Sequence, residues 1–230
     1  SGTVENEGDF EWQTSGDGNF DDVNDLNTIY TPGVFDIASG IVSLNLVAQP
    51  IAPCLAVASS TMEVEITALP TANAGTDASV CEDQTVQLAG VVENAASLGW
   101  STNGDGTFDN AQLLNPVYTP GPGDIQNSSV ELSLTASPNS PCLVEASSSV
   151  SISIQVLPEV YAGEDGSVCH DEGYMLNGTA QNHAGLFWST SGDGTFDDVS
   201  GTISTYYPGD VDADNGIVEL TLTALPAGPC

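Results

Sequence analysis

The chain has 230 residues, of which 32 are Asp or Glu and none is Lys or Arg, for a formal net charge of −32. Charge of that sign repels nucleic-acid phosphates and anionic membrane surfaces, so neither is expected as a partner. Lysine isopeptide staples are excluded as well, and compensation of the dense carboxylates is left to metal cations or bulk salt.

Hydrophobic residues make up 40% of the chain and fall in alternating runs, which argues for folded domains over acidic disorder. No apolar run is long enough to cross a membrane, so no insertion is expected from this segment. Trp12, Trp100 and Trp188 are spaced 88 residues apart, as are Tyr30, Tyr118 and Tyr206, and Cys54, Cys142 and Cys230. A fixed long period means copies of one unit, and a unit of this size suits a small domain with its own core. Residue 1 aligns with Ala89 and residue 230 with Cys142. The spacing therefore predicts a partial repeat over 1–70 without its first strands, a complete repeat over 71–157, and a partial repeat over 158–230 without its last strand. That pattern reads as an excerpt of a longer chain.

In chain order, each unit shows period-two alternation. Val42, Leu44 and Leu46 are followed by Met62, Val64 and Ile66. In the second unit Val86 and Leu88 begin an early strand and Trp100 belongs to the third. Val130, Leu132 and Leu134 come next, followed by Val150, Ile152, Ile154 and Val156. The third unit repeats the pattern at Tyr174 and Leu176 and at Val218, Leu220 and Leu222. No helical periodicity is present. Turn-forming Gly, Pro, Asn and Asp separate the runs. About seven short antiparallel strands per unit fit an all-β, immunoglobulin-like sandwich with the tryptophans in its core. The units meet at Leu69-Pro70 and Leu157-Pro158 with almost no linker, which predicts a semi-rigid rod.

The five cysteines lie in two contexts, Pro-Cys at Cys54, Cys142 and Cys230, and Val-Cys at Cys81 and Cys169. No zinc-type cluster is present, and regular cysteines in small β-domains indicate disulfides and an oxidising, extracellular or cell-surface setting. Two pairings compete. Within one unit, Cys81–Cys142 and Cys169–Cys230 are obvious partners, but in a sandwich they lie at opposite ends of a strand about 27 Å long. Cys81–Cys230, between consecutive units, brings a turn against the loop of the following unit and is favoured; Cys54, Cys142 and Cys169 then pair outside the chain.

The densest acidic motif is G-D-G-x-F-D, with Asp17, Asp21 and Asp22, Asp105 and Asp109, and Asp193, Asp197 and Asp198. These residues read either as strand-connecting turns, in which Asp caps its own backbone, or as oxygen ligands of calcium. Glu82 with Asp83, and Asp171 with Glu172, form a second acidic set that could share an ion at a junction. His170 and His183 do not recur between units, no nucleophile elbow is present, and no cation is available to stabilise an oxyanion, so no enzyme is expected. Asn127-Ser128-Ser129 and Asn177-Gly178-Thr179 match the glycosylation sequon, a short pattern that arises by chance.

The run A-N-A-G-T-D-A-S-V, T-V-Q-L-A-G, W-S-T-N-G-D-G-T-F, N-P-V-Y-T-P-G and S-V-E-L-S-L-T-A resembles the PKD domain. Its cysteine-bearing form is similar to the PKD-like repeats of very large surface proteins of gliding and adhesive Bacteroidota. The resemblance implies tandem immunoglobulin-like spacers and transfers no catalytic residue. The leading expectation is a structural segment of an extracellular stalk, fibre or filament serving surface display or adhesion. Its partners would be neighbouring repeats, a homopolymer or a surface ligand. The alternatives are a carbohydrate- or protein-binding module and the spacer of an exported hydrolase.

Overall fold

The computed structural model describes residues 2–5 and 7–230. The first stretch contains β1 (Glu7–Thr14), β2 (Asn19–Phe20), β3 (Tyr30–Thr31), α1 (Val34–Ser39), β4 (Ile41–Pro50) and β5 (Ala58–Glu65). Next come β6 (Thr71–Asn73), β7 (Ala78–Cys81), β8 (Val86–Gln87), β9 (Val91–Glu93), β10 (Ala95–Thr102), β11 (Thr107–Phe108), β12 (Val117–Thr119), α2 (Pro122–Asn127), β13 (Ser129–Pro138) and β14 (Ala146–Gln155). The last stretch holds β15 (Glu159–Tyr161), β16 (Tyr174–Asn177), β17 (Thr179–Gln181), β18 (His183–Thr190), β19 (Thr195–Phe196), β20 (Ile203–Tyr207), α3 (Asp210–Asn215) and β21 (Leu220–Pro226). The chain is all-β, with immunoglobulin-like sandwiches built from short strands. It divides into two compact units, one of Ser1–Ala72, Val92–Leu98 and Thr135–Ser147, the other of Asn73–Val91, Gly99–Leu134 and Ser148–Cys230.

In the first unit β4 lies between β1 and β5, and Trp12 faces Leu46 across the antiparallel ladder. Trp12, Val42, Leu44 and Leu46 form the buried core, with Phe20, Tyr30, Val64 and Ile66 packed against it. Among β7–β14 one sheet has the order β10-β13-β14-β7, and β8, β12 and β11 form another. Alternation on β13 and β14 turns Val130, Leu132, Leu134, Val150, Ile152 and Ile154 inward with Trp100 and Tyr118, all buried. β7 joins β14 in parallel, with Cys81 opposite Gln155. Further along, β18 pairs with β21, Trp188 facing Leu222 in the register that Trp12 and Leu46 adopt.

Three sequence expectations need correction. Helices are present where none was expected, because a helix of six residues is too short to show a 3.6-residue period. Each is set by its ends: an extended Gly as N-cap (Gly33, Gly121, Gly209), Asp three residues later, and a left-handed C-cap at Gly40, Ser128 or Gly216. Val218 lies before its strand, which begins at Leu220, because β21 pairs on one side only while β4 and β13 are flanked on both. Cys81 ends β7, held by the parallel ladder, and so does not sit in a turn.

A candidate site: the repeated tyrosine–aspartate clamp

The G-D-G loops fold against the short helices, most completely around α2. Gly121 has no side chain with which to cap the helix, so the cap comes from 18 to 19 residues upstream. The Asp105 carboxylate accepts the N–H of Gly123 at 2.9 and 3.0 Å and that of Asp124 at 3.1 Å. Asp124 reciprocates, its carboxylate accepting the N–H groups of Asp105 (3.2 Å), Gly106 (3.1 Å) and Gly121 (3.0 Å) and the hydroxyl of Tyr118 (2.6 Å). Behind the tyrosine, the Gly104 N–H donates to Thr102 Oγ1, which lies 3.1 Å from the Tyr118 hydroxyl. The result is one directional chain of hydrogen bonds ending on a carboxylate that is 1% exposed.

The same clamp recurs at both repeat-equivalent positions. Asp36 accepts from the N–H groups of Asp17, Gly18 and Gly33 and from the Tyr30 hydroxyl, while Asp17 accepts from those of Phe35 and Asp36. Asp212 accepts from Asp193, Gly209 and Tyr206, and Asp193 from Val211 and Asp212. The approach leaves no room for side chains at the loop glycines. A Cβ on Gly104 would lie 1.7 Å from Asp124 Oδ1, and one on Gly106 would lie 2.4 Å from the Tyr118 hydroxyl. Trp, Phe and Tyr rings pack together behind each loop, Phe108 lying 6.3 Å from Trp100 and 5.0 Å from Tyr118 between ring centres in tilted arrangements.

Electrostatics follow from this geometry. Burial pushes the Asp124 carboxyl up, but the Tyr118 hydroxyl and the surrounding N–H donors outweigh it and hold the group below the usual carboxylate range. The Tyr30 and Tyr206 hydroxyls, each with backbone N–H donors, hold Asp36 and Asp212 low as well. Burial and the facing carboxylate push Tyr118 up to about 12, and raise Tyr30 and Tyr206 in the same direction. A buried anion here is balanced by hydrogen bonds alone, since no Lys or Arg exists to pair with it.

The remaining candidate ligands serve turns. Asp21 accepts from Thr28 and Ile29, Asp109 from Asn110 and Val117, and Asp197 from Ser204 and Thr205. Asp22 accepts from the Asn24 N–H, and Asp198 from the N–H and hydroxyl of Ser200. Among the described residues no three His, Cys, Asp or Glu side chains gather as a metal site requires. Of the second acidic set, Glu82 accepts the Leu157 N–H at 3.0 Å. His170 lies 3.3 Å from the exposed Asp210. Asp36, Asp124 and Asp212, the centres of the clamp, were missed in the sequence reading. Their signal is G-x-x-D at the 88-residue spacing, from Gly33, Gly121 and Gly209.

Cys81 and Cys230 are disulfide-bonded with Cα atoms 5.0 Å apart, so the alternatives Cys81–Cys142 and Cys169–Cys230 are not formed. Cys54, Cys142 and Cys169 carry free thiols. A groove of about 640 Å³ is lined by Leu176, Trp188, Tyr206 and Leu220. Among the described residues no helix is long and apolar enough to cross a membrane, which leaves β-barrels unaddressed.

No family model matches the sequence, and no curated relative does. Among solved structures it is similar to the extracellular cadherin domains 1–4 of protocadherin gamma B7, at 13% identity and TM-score 0.48, covering 94% of this chain and 66% of that one. The N-terminal eight Ig domains of Down syndrome cell adhesion molecule match at 13% identity and TM-score 0.47, over 96% of this chain and 38% of that one. Mouse cadherin-23 EC22–24 matches at 15% identity and TM-score 0.45, over 89% and 77%.

Proposed function

We propose that residues 1–230 are a structural segment of an extracellular stalk, fibre or filament that serves surface display or adhesion. In this reading they are a run of PKD-like repeats over 1–70, 71–157 and 158–230. One observation carries it: the Cys81–Cys230 bond spans 149 residues and ties two of those repeats together, a connection suited to transmitting tension. The clamps support it, because their carboxylates are consumed in holding loops to helices. The recurring aromatics are packed inward, so an aromatic ligand platform gains nothing from them.

Stretching single molecules held at residues 1 and 230 tests the reading. With the disulfide closed, force passes from residue 230 directly to Cys81, and the chain between them, a sequence separation of 149, stays out of the load path. Reduction should add roughly 500 Å of extension at about 3.4 Å per residue. Equal extension in oxidised and reduced protein overturns the tension-bearing role.

A further inference from the structure

Three apolar side chains stand together on the outer face of the sheet β16-β20-β19. Met175 is 64% exposed, Ile203 65% and Tyr207 49%. The register sets Met175 opposite Thr205, so Ile203 and Tyr207, two residues to either side, are its diagonal neighbours. Tyr174, Leu176 and Tyr206 alternate with them and turn toward the core. Gly173 makes room for the tyrosine, since a Cβ there would come 2.9 Å from Tyr207 Cε1. The positions 88 residues earlier hold Gln87, Asn115 and Thr119, and a further 88 before the last two stand Asn27 and Thr31. Gln87, Asn115 and Thr119 are exposed beside a strand set that includes β13 and β14. The face is therefore outward whether or not a strand equivalent to β14 is present. What is particular to Met175, Ile203 and Tyr207 is their chemistry, apolar where the equivalent residues are polar. Single exposed apolar side chains are ordinary, but a contiguous group marks a contact surface.

Exposed carboxylates bracket the group. Asp171 and Glu172 precede Gly173, and Asp197, which accepts the Thr205 N–H, stands with Asp198 on the β19 side. An apolar centre in an acidic rim is complementary to a partner that is both apolar and basic. A second copy of the chain supplies no such partner, having no Lys or Arg and a charge of −32. The backbone of β20 is paired on both sides, by β16 and β19, so the partner contributes side chains and not an added strand. We propose that Met175, Ile203 and Tyr207 form a docking face for a basic amphipathic helix of another protein. Its apolar stripe covers the three side chains, and its Lys or Arg residues meet the carboxylates of Asp171, Glu172, Asp197 and Asp198. Ile203 to Tyr207 spans about 14 Å of strand. Apolar residues at i, i+4 and i+7 of a helix span about 10.5 Å, which puts the basic residues of the flanking turns at the rim. The site adds a partner to the stalk reading without resting on the Cys81–Cys230 tie.

The test uses the whole chain with Cys81–Cys230 closed and a Leu/Lys peptide of about four helical turns with its Leu on one face. Binding is read by calorimetry. Met175→Gln, Ile203→Asn and Tyr207→Thr together install the residues that β8 and the β12 region already carry. This variant should bind about tenfold more weakly with an unchanged melting temperature. If it melts early, Met175→Gln alone should still weaken binding about threefold. Asp171→Asn with Glu172→Gln should weaken it by a similar factor and flatten its salt dependence. A scrambled peptide of the same composition keeps the charge and loses the stripe, and should bind the unaltered chain about tenfold more weakly. Equal binding by the triple variant, or by the scrambled peptide, reduces the interaction to net charge and overturns the face. Self-association of the unaltered chain that the triple variant loses overturns the outside partner in favour of a second copy. Failure here leaves the stretching measurement untouched, since that reads only the Cys81–Cys230 bond.

Discussion

β5 and β14 are the same strand by sequence and differ in the structure. Both alternate apolar and polar residues, and Met62, Val64 and Ile66 stand 88 residues before Val150, Ile152 and Ile154. β14 lies between β13 and β7 and its three apolar residues are buried, Ile152 fully. β5 has β4 on one side only, and Met62 is 49% exposed. An alternating pattern therefore specifies which face turns inward, whereas the depth of burial depends on what stands beside the strand. The clamp behaves oppositely. It forms in the same way around Asp36 and Asp124, because all its parts lie within some twenty consecutive residues of one loop and one helix.

The contrast can be broken first by truncating core side chains. Ile152→Ala should destabilise the second unit by about 4 kcal/mol, the range for emptying a close-packed site. Val64→Ala, at a half-buried edge position, should cost roughly 1 kcal/mol. Denaturant unfolding of the two variants reads the difference, and equal losses would mean that β5 is covered in solution.

The clamp supplies the control. Asp124→Asn puts an amide NH2 where donors already converge and should cost about 3 kcal/mol. Asp36→Asn should lower the melting temperature in the same direction, unlike the unequal pair above. A silent Asp36→Asn would show that the first clamp contributes little to its unit.

Changing pH sharpens the comparison without mutation. Asp36, Asp124 and Asp212 have folded pKa values below the ordinary 3.8, so their contribution is present above pH 3.8 and is lost as pH falls through the lower folded values. Tyr118 is raised from 10.0 to about 12, so its contribution is complete below pH 10 and is lost as pH rises toward 12. Thermal melts should show a plateau between these limits. With no lysine present, tyrosinate absorbance should show the fully buried Tyr118 ionising last, after the half-buried Tyr30. Simultaneous ionisation of the two at pH 10 would contradict the closed clamp.

The smallest expected effect concerns cations. The loop carboxylates already accept backbone N–H groups, so calcium and sodium at equal ionic strength should raise the melting temperature alike by screening. An additional calcium-dependent rise, growing with concentration as ligand linkage requires, would favour the ligand reading of Asp17, Asp105 and Asp193.

The repeat, the inward faces of β4, β13 and β14, and the burial of the three tryptophans were all legible in the residues, because period-two alternation and regular spacing are local records of a sheet. The helices were not, since one and a half turns leave no periodic trace, and neither was the role of Asp124, whose partners Asp105 and Tyr118 reach it only after the loop closes. The cysteines show both limits. Spacing placed five of them in two contexts and left two pairings open. Selecting Cys81–Cys230 required β7 to lie along β14 and the Cys230 loop to meet its end, a long-range arrangement set by packing. Local chemistry thus determined the elements and the facing of their side chains. Tertiary structure alone decided which edges were covered and which sulfurs met, because both depend on neighbours distant in the chain.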